Sequence, residues 1–297
     1  MIDELRKVLP NLIIEENADM SFYSTFKLGG FAKVLIKVSN INELKEVLRF
    51  VKENDVPFVI LGNGSNTVFR DGIYNGFVIK FQHDSEFDEI SVDGEYIKAG
   101  ANVLLSNVAK IAQEHSLSGL ERISGIPGSV GGATFMNAGA YEDSISNVLV
   151  SAIAVSSEDI KEFKLDEMNM GYRHSIFMDN GYVISSVVFK LKKGNKDEIF
   201  DTMKEYQLKR SEKQPLKYPS CGSVFKRPVG TFAGKLIEES GLKGTSVGGV
   251  SVSTLHAGFI INTNNGTATD LVNLIELIKR KVYEDHKVML EEEIIII

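Results

Sequence analysis

The sequence predicts an α+β fold with more than one domain. The chain has 297 residues, of which 43% are hydrophobic and 25% charged, so it can form large buried cores. Residues 34–80 alternate short strand-like runs with a helical segment, whereas residues 89–192 contain mostly strand-like runs. Helical patterns return after residue 197. By length alone, two domains are expected and three small ones are possible.

The composition argues against several classes of protein. A formal net charge of −7 disfavours a general binder of nucleic acid or anionic membranes, because such proteins normally present a basic face. The single cysteine, Cys221, leaves no internal disulfide to form. Residues 1–17 lack the continuous apolar stretch of a signal peptide, and no uncharged apolar run is long enough to span a membrane. We expect a cytoplasmic protein with no membrane anchor and no obligate protein partner.

The first part of the chain predicts an α/β lobe. Asn40 lies three residues before Glu43, an arrangement similar to a capping box at the start of a helix. An apolar strand then leads directly into the loop 62-GNGSN-66. We predict strands at 34–38, 57–61 and 76–80 and a helix at 40–54.

The remaining elements follow from turn and capping residues. Asp93-Gly94 predicts the turn of a hairpin within residues 89–101. Gly241 ends a helix, and Thr267 with Asp270 can cap another. We predict helices at 103–115, 198–213, 232–241 and 268–287, strands at 148–155, 182–192, 247–252 and 257–262, and a strand-like run at 288–297 that returns to an earlier sheet.

The loop 62-GNGSN-66 is a candidate anion site. Glycine permits positive φ and has no Cβ, so several backbone N–H groups can converge on one point. Such a group of amides suits a phosphate or pyrophosphate. The loop has neither the Gly-Lys-Ser/Thr of a Walker loop nor the spacing of a GxGxxG motif. A phosphate-binding loop and an ordinary turn both remain open.

Residues 125–141, GIPGSVGGATFMNAGAY, form a second glycine-rich element. Their glycine density predicts a backbone packed against a flat ligand or against another backbone segment. A tight structural crossover is the alternative. Two glycine-rich elements in separate parts of one chain together indicate a large dinucleotide, with one element at its pyrophosphate and the other along its ring system.

Cationic side chains cluster around Ser223 in this acidic chain. They predict an anionic substrate such as a phosphate ester, and a solvated basic surface is the alternative. The GxSxG pattern of a serine hydrolase is absent. Arg173 offers a planar donor fork to a carboxylate, or serves only in a surface ion pair. The cations near Ser223 include Lys209, Arg210, Lys213, Lys226 and Arg227.

Three adjacent carboxylates, 291-EEE-293, lie in the strand-like end of the chain. On a strand, Glu291 and Glu293 would share one face and Glu292 would take the other. Partial burial between apolar neighbours would favour a protonated carboxylate, whereas solubilising charges on an edge strand are the alternative. The histidines show no metal-ligand spacing, so we expect no metal site.

The order of the motifs is more specific than any one of them. Along the chain they are STFKLGG (24–30), LGNGSNTVF (61–69), SGIPGSVGGATFMNAGAY (124–141), GYRHSIF (171–177), CGSVFKRP (221–228), AGKLIEESGLKG (233–244), HAGFIIN (256–262) and LEEEI (290–294). This series resembles the UDP-N-acetylenolpyruvoylglucosamine reductases, flavoenzymes of the second committed step of peptidoglycan precursor synthesis. The resemblance extends from about residue 20 to the end of the chain.

The resemblance implies a fold and a domain division. It implies a two-lobed FAD-binding module of the vanillyl-alcohol-oxidase (PCMH) type and a C-terminal α/β substrate-binding domain. The first lobe is expected at residues 1–82, and the second at 83–195 with a returning strand at 289–297. The substrate domain is expected at 196–288. The separation of Arg173 from Ser223 by 50 residues is similar to the shorter second type of the family, which lacks an inserted substrate-capping segment.

The resemblance also implies cofactors, substrates and site residues. FAD is the expected bound cofactor, and NADPH and UDP-N-acetylglucosamine enolpyruvate are the expected substrates. Arg173, Ser223 and Glu293 match the catalytic positions of the family. FAD contacts are expected at Leu61, Gly62, Asn63, Gly64, Ser65, Asn66, Ile126, Pro127, Gly128, Val130, Gly131, Gly132, Asn137, Gly139, Ala140, Val187 and Arg210. Substrate contacts are expected at Tyr141, Tyr172, Lys213, Gly222, Lys226, Arg227 and His256.

The family reaction explains these residue types. NADPH reduces the flavin, and flavin N5 then passes hydride to C3 of the enolpyruvyl ether. Charge develops at C2 and in the adjoining carboxylate, where Arg173 and a protonated Glu293 would stabilise it. Ser223 would donate the proton to C2, with a cation such as Lys213 stabilising the alkoxide. Cys221 is expected to take no part.

Two positions depart from the family pattern. Many members have glycine after NAGAY, where this chain has Glu142. Many also have an arginine two residues after the catalytic glutamate, where this chain has Ile295. No flavin or substrate contact can be assigned from that arginine.

Two other functions remain open. A flavoenzyme of the same fold that oxidises an alcohol or lactone with oxygen would need no cation cluster. A non-catalytic sensor would bind a nucleotide sugar without chemistry. The joint presence of Arg173, Ser223 and Glu293 argues against the sensor.

Overall fold

The structure is a computed structural model and describes residues 2–297. Its α-helices are α1 (Ile2–Val8), α2 (Ile41–Glu53), α3 (Leu105–Glu114), α4 (Val130–Phe135), α5 (Lys196–Lys213), α6 (Ala233–Glu239) and α7 (Ala268–His286). Its strands are β1 (Ile13–Asp19), β2 (Phe31–Val38), β3 (Phe58–Ile60), β4 (Thr67–Val68), β5 (Ile73–Phe81), β6 (Ile90–Asp93), β7 (Tyr96–Gly100), β8 (Leu117–Ser118), β9 (Gly139–Ala140), β10 (Asp143–Ser144), β11 (Leu149–Val155), β12 (Ile160–Lys164), β13 (Val183–Lys190), β14 (Lys192–Lys193), β15 (Ser246–Val247), β16 (Val250–Val252), β17 (Ile260–Asn262) and β18 (Ile295–Ile296).

The strands form two larger sheets and several small ones. One sheet has the order β1-β2-β5-β3, in which β3 runs parallel to β5. The other has the order β12-β11-β13-β7-β6 and is antiparallel throughout. An antiparallel sheet β15-β16-β17 lies near the C-terminal end of the chain. Helices combined with mainly antiparallel sheets confirm the predicted α+β class.

The chain divides into two compact units, each with its own hydrophobic core. Unit 1 comprises Met1–Glu16, Val34–Asn63 and Gly76–Leu208, and unit 2 comprises Asn17–Lys33, Gly64–Asn75 and Lys209–Ile297. The division into three parts predicted from the sequence stays a prediction.

Each core depends on an amphipathic helix. In unit 1, α2 buries Leu44 and Val47 in the same hydrophobic cluster as the strand residues Val34 and Ile36, and all four are at most 1% exposed. In unit 2, α7 buries a stripe of apolar residues at helical spacing: Leu271, Leu274, Ile275, Ile278 and Val282.

The predicted hairpin and the cap of α7 are confirmed. β6 ends at Asp93, β7 begins at Tyr96, and Gly94 in the turn has φ +60°. At the start of α7, Thr267 and Asp270 form a reciprocal capping box.

The cap of α2 differs from the predicted capping box in one bond. The Asn40 side chain accepts from the Glu43 N–H at 2.9 Å, as expected. The Glu43 carboxylate, however, accepts from the N–H and hydroxyl of Ser39, at 2.7 and 2.8 Å, and not from the Asn40 N–H. The serine one residue further upstream offers two donors to the same oxygen, which explains the difference.

The end of the chain returns to an earlier segment. β18 pairs in parallel with β4, with Ile295 opposite Thr67 and Ile296 opposite Val68. Upstream of β18, the backbone makes isolated hydrogen bonds to the segment around Val224 and does not form a regular strand ladder. This irregular stretch contains the three glutamates.

Candidate active site

The start of the loop 62–66 is held against the second glycine-rich element within unit 1. The Asn63 side-chain amide donates to the Pro127 carbonyl at 2.6 Å. A Cβ on Gly62 would lie 2.6 Å from Ser129 Oγ, so a larger residue would displace this hydroxyl. Asn63 and Pro127 are 64 residues apart in the chain, and their contact brings the start of the loop to the second glycine-rich element. A ligand shared by the two elements stays a prediction.

The glycines near the start of the second element pack against another backbone segment. The N–H groups of Val130 and Gly131 donate to the carbonyls of Val103 and Ala101, at 2.7 and 2.9 Å. A Cβ on Gly131 would lie 2.8 Å from Ala101 Cβ. Ser129 caps α4 by accepting from the Gly132 N–H at 3.3 Å. The close backbone approach predicted from the glycine density is therefore confirmed.

The rest of the loop 62–66 belongs to unit 2 and is built around Gly64. Gly64 has φ +64°, and its carbonyl accepts from the Thr25 N–H at 3.0 Å. A Cβ on Gly64 would lie well inside van der Waals contact with the Tyr23 carbonyl oxygen. The Thr25 hydroxyl in turn donates to the Ser220 carbonyl at 2.7 Å, which links STFKLGG to the segment before Ser223.

Gly64→Ala is expected to disrupt this loop because the new methyl group meets backbone, which cannot move aside cheaply. Purified protein should carry substantially less FAD, measured as the ratio of flavin to protein absorbance. Gly94→Ala is the matched control, since Gly94 also has positive φ but nothing lies within 4 Å of its Cβ position. Equal flavin content in the two variants would contradict the steric argument.

Cys221 is a buried thiol beneath the same loop. It is 3% exposed, and its Sγ lies 3.8 Å from Ser24 Oγ and 3.8 Å from the Gly64 carbonyl oxygen. Burial raises the pKa of Cys221 to about 11, so it remains a thiol at neutral pH. This agrees with the prediction that Cys221 is not the reacting group.

Residues 139–144 form a tight hairpin at the end of the second element. β9 and β10 pair Ala140 with Asp143, and the two turn residues Tyr141 and Glu142 have φ +54° and +66°. Two consecutive positive φ angles are typical of a type I′ turn, which favours glycine or asparagine. The family's usual glycine after NAGAY therefore has a physical basis, and Glu142 adopts that conformation at a cost.

Glu142→Gly is expected to stabilise the protein by up to about 1 kcal/mol, because glycine has no Cβ to strain in the left-handed region. The greater freedom of glycine in the unfolded chain offsets part of that gain. Urea unfolding of the two proteins measures the difference. An unchanged or lower midpoint would show that Glu142 makes a compensating contact.

Arg173 is fixed beside the glycine-rich stretch within unit 1. Its Nη2 donates to the Gly139 carbonyl at 3.2 Å, and Cζ lies 5.1 Å from the centre of the Tyr172 ring. Its backbone has φ +54°, a strained conformation for a residue with a side chain. Asn137 supports this segment by donating to the Gly171 carbonyl at 2.8 Å.

Ser223 and Glu293 are brought to one region of unit 2. Ser223 forms an isolated antiparallel bridge with Phe259 and is half-buried. The next residue, Val224, accepts from the Glu293 N–H at 2.8 Å. The Glu293 carbonyl in turn accepts from the Asn66 side chain at 3.0 Å, which ties this glutamate to the loop 62–66.

The other two glutamates of the EEE run bind lysines. Glu291 lies 3.5 Å from Lys226 Nζ, and Glu292 lies 2.9 Å from Lys279 Nζ. The hydrogen bond that Lys279 donates to Glu292 is the main cause that raises the pKa of Lys279. Glu291 and Glu292 therefore pair with different lysines.

The remaining predicted substrate residues lie at several places in the two units. His256 Nδ1 accepts from the Gly258 N–H at 3.1 Å, and burial lowers the pKa of His256. Arg227 Cζ lies 4.0 Å from the Phe232 ring centre, and Lys213 is the exposed last residue of α5. In unit 1, the Tyr141 ring lies 4.7 Å from that of Tyr206.

The remaining predicted FAD contacts have varied exposure. Val187 is fully buried in β13, whereas Gly132 is exposed and Arg210 is half-buried in α5. Gly128 accepts from the Leu105 N–H at 3.0 Å. Each of these contacts stays a prediction.

Residues 2–297 were searched for membrane-spanning helices and for metal-binding groups of side chains. They contain no helix that is both long enough and apolar enough to cross a membrane. They also contain no group of three or more His, Cys, Asp or Glu side chains able to hold a metal ion.

Comparison with known proteins identifies the family of the chain. A family profile for the UDP-N-acetylenolpyruvoylglucosamine reductase C-terminal domain matches residues 214–297, and one for an FAD binding domain matches residues 32–159. The UDP-N-acetylenolpyruvoylglucosamine reductase of Clostridium novyi (strain NT) is 43% identical over 295 residues, which cover 99% of this chain and 95% of that protein. The chain belongs to the UDP-N-acetylenolpyruvoylglucosamine reductase family.

Other members of the family are similarly close. The UDP-N-acetylenolpyruvoylglucosamine reductase of Streptococcus mutans serotype c is 44% identical over 298 residues, covering 100% of this chain and 96% of that protein. The crystal structure of the UDP-N-acetylenolpyruvylglucosamine reductase from Thermus caldophilus superposes with a TM-score of 0.83 at 34% identity, covering 96% of this chain and 99% of that one. As a reductase of this family with an FAD-binding domain, the protein is an FAD-dependent oxidoreductase, and the predicted fold class is confirmed.

The loop 62–66 offers backbone amides to a phosphate in each of the two units. Among residues 2–297, no protein acceptor is found for the backbone N–H groups of Gly62 and Asn63 in unit 1, or for those of Gly64, Ser65 and Asn66 in unit 2. Consecutive amides without protein acceptors are suited to phosphate oxygens. Glycines are needed at positions 62 and 64 because a Cβ would meet Ser129 Oγ at the first and the Tyr23 carbonyl oxygen at the second.

Sequence reasoning missed three residues that shape the site. Lys80 donates to the Gly62 carbonyl at 2.6 Å, Ser129 caps α4, and Thr25 joins Gly64 to Ser220. Serine is one of the preferred N-cap residues, so the sequence offered a capping signal at Ser129. No local pattern distinguishes Lys80 from other lysines on strands.

Proposed function

We propose that this protein reduces the enolpyruvyl ether of UDP-N-acetylglucosamine to UDP-N-acetylmuramate, with NADPH as the electron donor, in peptidoglycan precursor synthesis. The observation that carries the proposal is the similarity over nearly the whole chain to enzymes named for this reduction. The backbone N–H groups of Gly62 and Asn63 in unit 1, which have no acceptor within residues 2–297, support FAD as the bound cofactor.

FAD, when bound, supplies the redox chemistry by accepting electrons from NADPH and delivering them to C3 of the enolpyruvyl group. The residues of the chain bind and orient these molecules and stabilise charge. The residues proposed to hold FAD are Leu61, Gly62, Asn63, Gly64, Ser65, Asn66, Ile126, Pro127, Gly128, Val130, Gly131, Gly132, Asn137, Gly139, Ala140, Val187 and Arg210.

Arg173 and Glu293 are proposed to stabilise the negative charge that develops on the enolpyruvyl group at C2 and its carboxylate. A guanidinium is always charged and offers a fork of donors that matches a carboxylate. Glu293 in its acid form donates a further hydrogen bond to the developing charge. The hydrogen bond from Arg173 to the Gly139 carbonyl supports this role, because it helps to fix the orientation of the guanidinium.

Ser223 is proposed to donate the proton that C2 requires. Ser223 is half-buried, and the next residue, Val224, is held by two backbone hydrogen bonds, one donated to the Gly258 carbonyl and one accepted from the Glu293 N–H. A fixed hydroxyl donates efficiently only if the alkoxide it leaves is stabilised. Lys213 is proposed to provide that positive charge, and Lys226 and Arg227 to attract the diphosphate of the substrate.

The decisive experiment is an anaerobic visible spectrum of the purified protein. Flavin bands should bleach on addition of NADPH and return on addition of the enolpyruvyl sugar. Bands that return rapidly in air after reduction by an alcohol would indicate an alcohol-oxidising flavoenzyme instead. A protein that NADPH does not bleach would indicate a binding protein without this chemistry.

A further inference from the structure

Lys80 places an ammonium group next to the loop 62–66. It lies on β5, and its Nζ donates to the Gly62 carbonyl oxygen at 2.6 Å. The neighbouring Leu61 N–H donates to the Ile79 carbonyl of the same strand at 2.9 Å. β5 therefore holds Leu61 and Gly62, where the loop begins, through one backbone hydrogen bond and one side-chain hydrogen bond, both within unit 1.

The surroundings of Lys80 do not favour its charge. Burial, together with the positive charge of Lys37, lowers the pKa of Lys80 from 10.5 to about 8, and Asp88 opposes this shift. The Asp88 carboxylate is already shared, since it accepts from Asn102 Nδ2 at 2.8 Å and from the Ser85 N–H at 3.3 Å. A further negative charge near Lys80 would therefore stabilise its protonated form.

The bond from Lys80 also determines the direction of the next amide. A trans peptide is planar, so the Gly62 carbonyl and the Asn63 N–H point to opposite sides. Because Lys80 holds the carbonyl, the Asn63 N–H points away from β5, and it has no acceptor within residues 2–297. The Asn63 side chain is held separately by the Pro127 carbonyl at 2.6 Å.

We propose that Lys80 is a positioning residue for the pyrophosphate of FAD. Its ammonium orients the peptide between Gly62 and Asn63 so that the Asn63 N–H is presented to a phosphate oxygen, and its positive charge strengthens binding of the diphosphate. The inference rests on the proposed use of FAD by this chain. Lys80 acts by orienting the Gly62–Asn63 peptide and by the electrostatic field of its ammonium group, and it does not take part in the reaction.

The proposal has a pH dependence of defined sign. Protonated Lys80 supports binding, so affinity for FAD should fall as pH rises through about 8. Between the pKa of Lys80 in the free protein and its higher pKa in the complex, the dissociation constant should rise by up to about tenfold per pH unit. Without FAD, the free energy of unfolding changes with pH in the opposite direction to FAD affinity. The unfolded chain binds the proton on Lys80 more tightly than the folded protein does, so the free energy of unfolding increases from about pH 8 to 10.5.

The test measures release of FAD from the full-length holoenzyme after dilution, followed by flavin fluorescence, from about pH 6.5 to about pH 9.5. Lys80→Met should weaken FAD binding about 10- to 100-fold near neutral pH. It should also remove the rise of the FAD dissociation constant above pH 8. Lys80→Arg should retain tighter binding than Lys80→Met and also lose the dependence, because arginine stays charged. Lys110→Met removes an exposed lysine of α3 and should match the wild type.

Wild-type affinity and a wild-type pH profile in Lys80→Met would overturn the proposal. If Lys80→Met does not fold, Lys80→Arg is the deciding variant. FAD affinity that does not change with pH in this variant supports the role of the Lys80 charge, and the same pH profile as the wild type refutes it. A wild-type protein that binds no FAD refutes both this inference and the proposed function. A wild-type protein that binds FAD but is not reoxidised by the enolpyruvyl sugar refutes the proposed reaction alone.

Discussion

Ser223→Ala is expected to slow reduction of the enolpyruvyl substrate by about 10²- to 10⁴-fold, the range typical of a lost general acid. Bleaching of the flavin by NADPH should remain close to normal, because that half-reaction needs no proton at C2. Stopped-flow absorbance of the flavin separates the two half-reactions. The alanine removes one hydroxyl from a half-buried loop whose backbone bonds, from Val224 and Glu293, remain in place.

The matched control for this variant is Ser246→Ala, which removes an exposed hydroxyl from β15 in the same unit. It should leave both half-reactions unchanged. If Ser223→Ala reduced the enolpyruvyl sugar at the normal rate, Ser223 would not be the proton donor. If it slowed both half-reactions equally, the loop would be serving flavin binding instead.

Arg173→Lys is the second variant with a large expected effect. Lysine keeps the charge but loses the planar fork, so the reduction of the enolpyruvyl substrate should fall about 10²- to 10³-fold. The variant also loses the fixed orientation set by the bond from Arg173 to the Gly139 carbonyl at 3.2 Å. Single-turnover reoxidation by the enolpyruvyl sugar, after reduction with NADPH, provides the measurement.

Arg49→Lys is a suitable control, because Arg49 forms a surface pair with Glu46 on α2, at 2.8 Å. It should behave as the wild type. A normal rate of reoxidation in Arg173→Lys would show that charge alone is needed at this position. A slow rate of flavin reduction by NADPH would indicate that Arg173 acts on the cofactor and not on the substrate.

The choice between Cys221 and Ser223 shows what burial adds to a sequence motif. Both side chains occur within three residues, and the motif alone does not exclude a reactive thiol. In the fold, Cys221 is 3% exposed and burial raises its pKa to about 11, while Ser223 is half-buried. Exposure and desolvation depend on which distant segments cover a residue, and neither can be obtained from local spacing.

Local signals predicted local structure well. The Asp93-Gly94 turn and the Thr267–Asp270 cap were predicted because their hydrogen bonds join residues close in the chain. The carboxylate of Glu43 was assigned to the wrong donor, since Ser39 offers a better-placed pair of donors.

The sequence by itself determined the α+β class, the family and the use of FAD, because the order of eight motifs is specific even where each motif is weak. It also identified both glycine-rich elements, since backbone that approaches a ligand or another backbone requires glycine. Only the tertiary structure decided that Asn63 lies against Pro127, that Lys80 holds the Gly62 carbonyl, and that Cys221 is a buried thiol. These features depend on contacts between residues far apart in the chain and on the burial that such contacts create, and no local pattern encodes either.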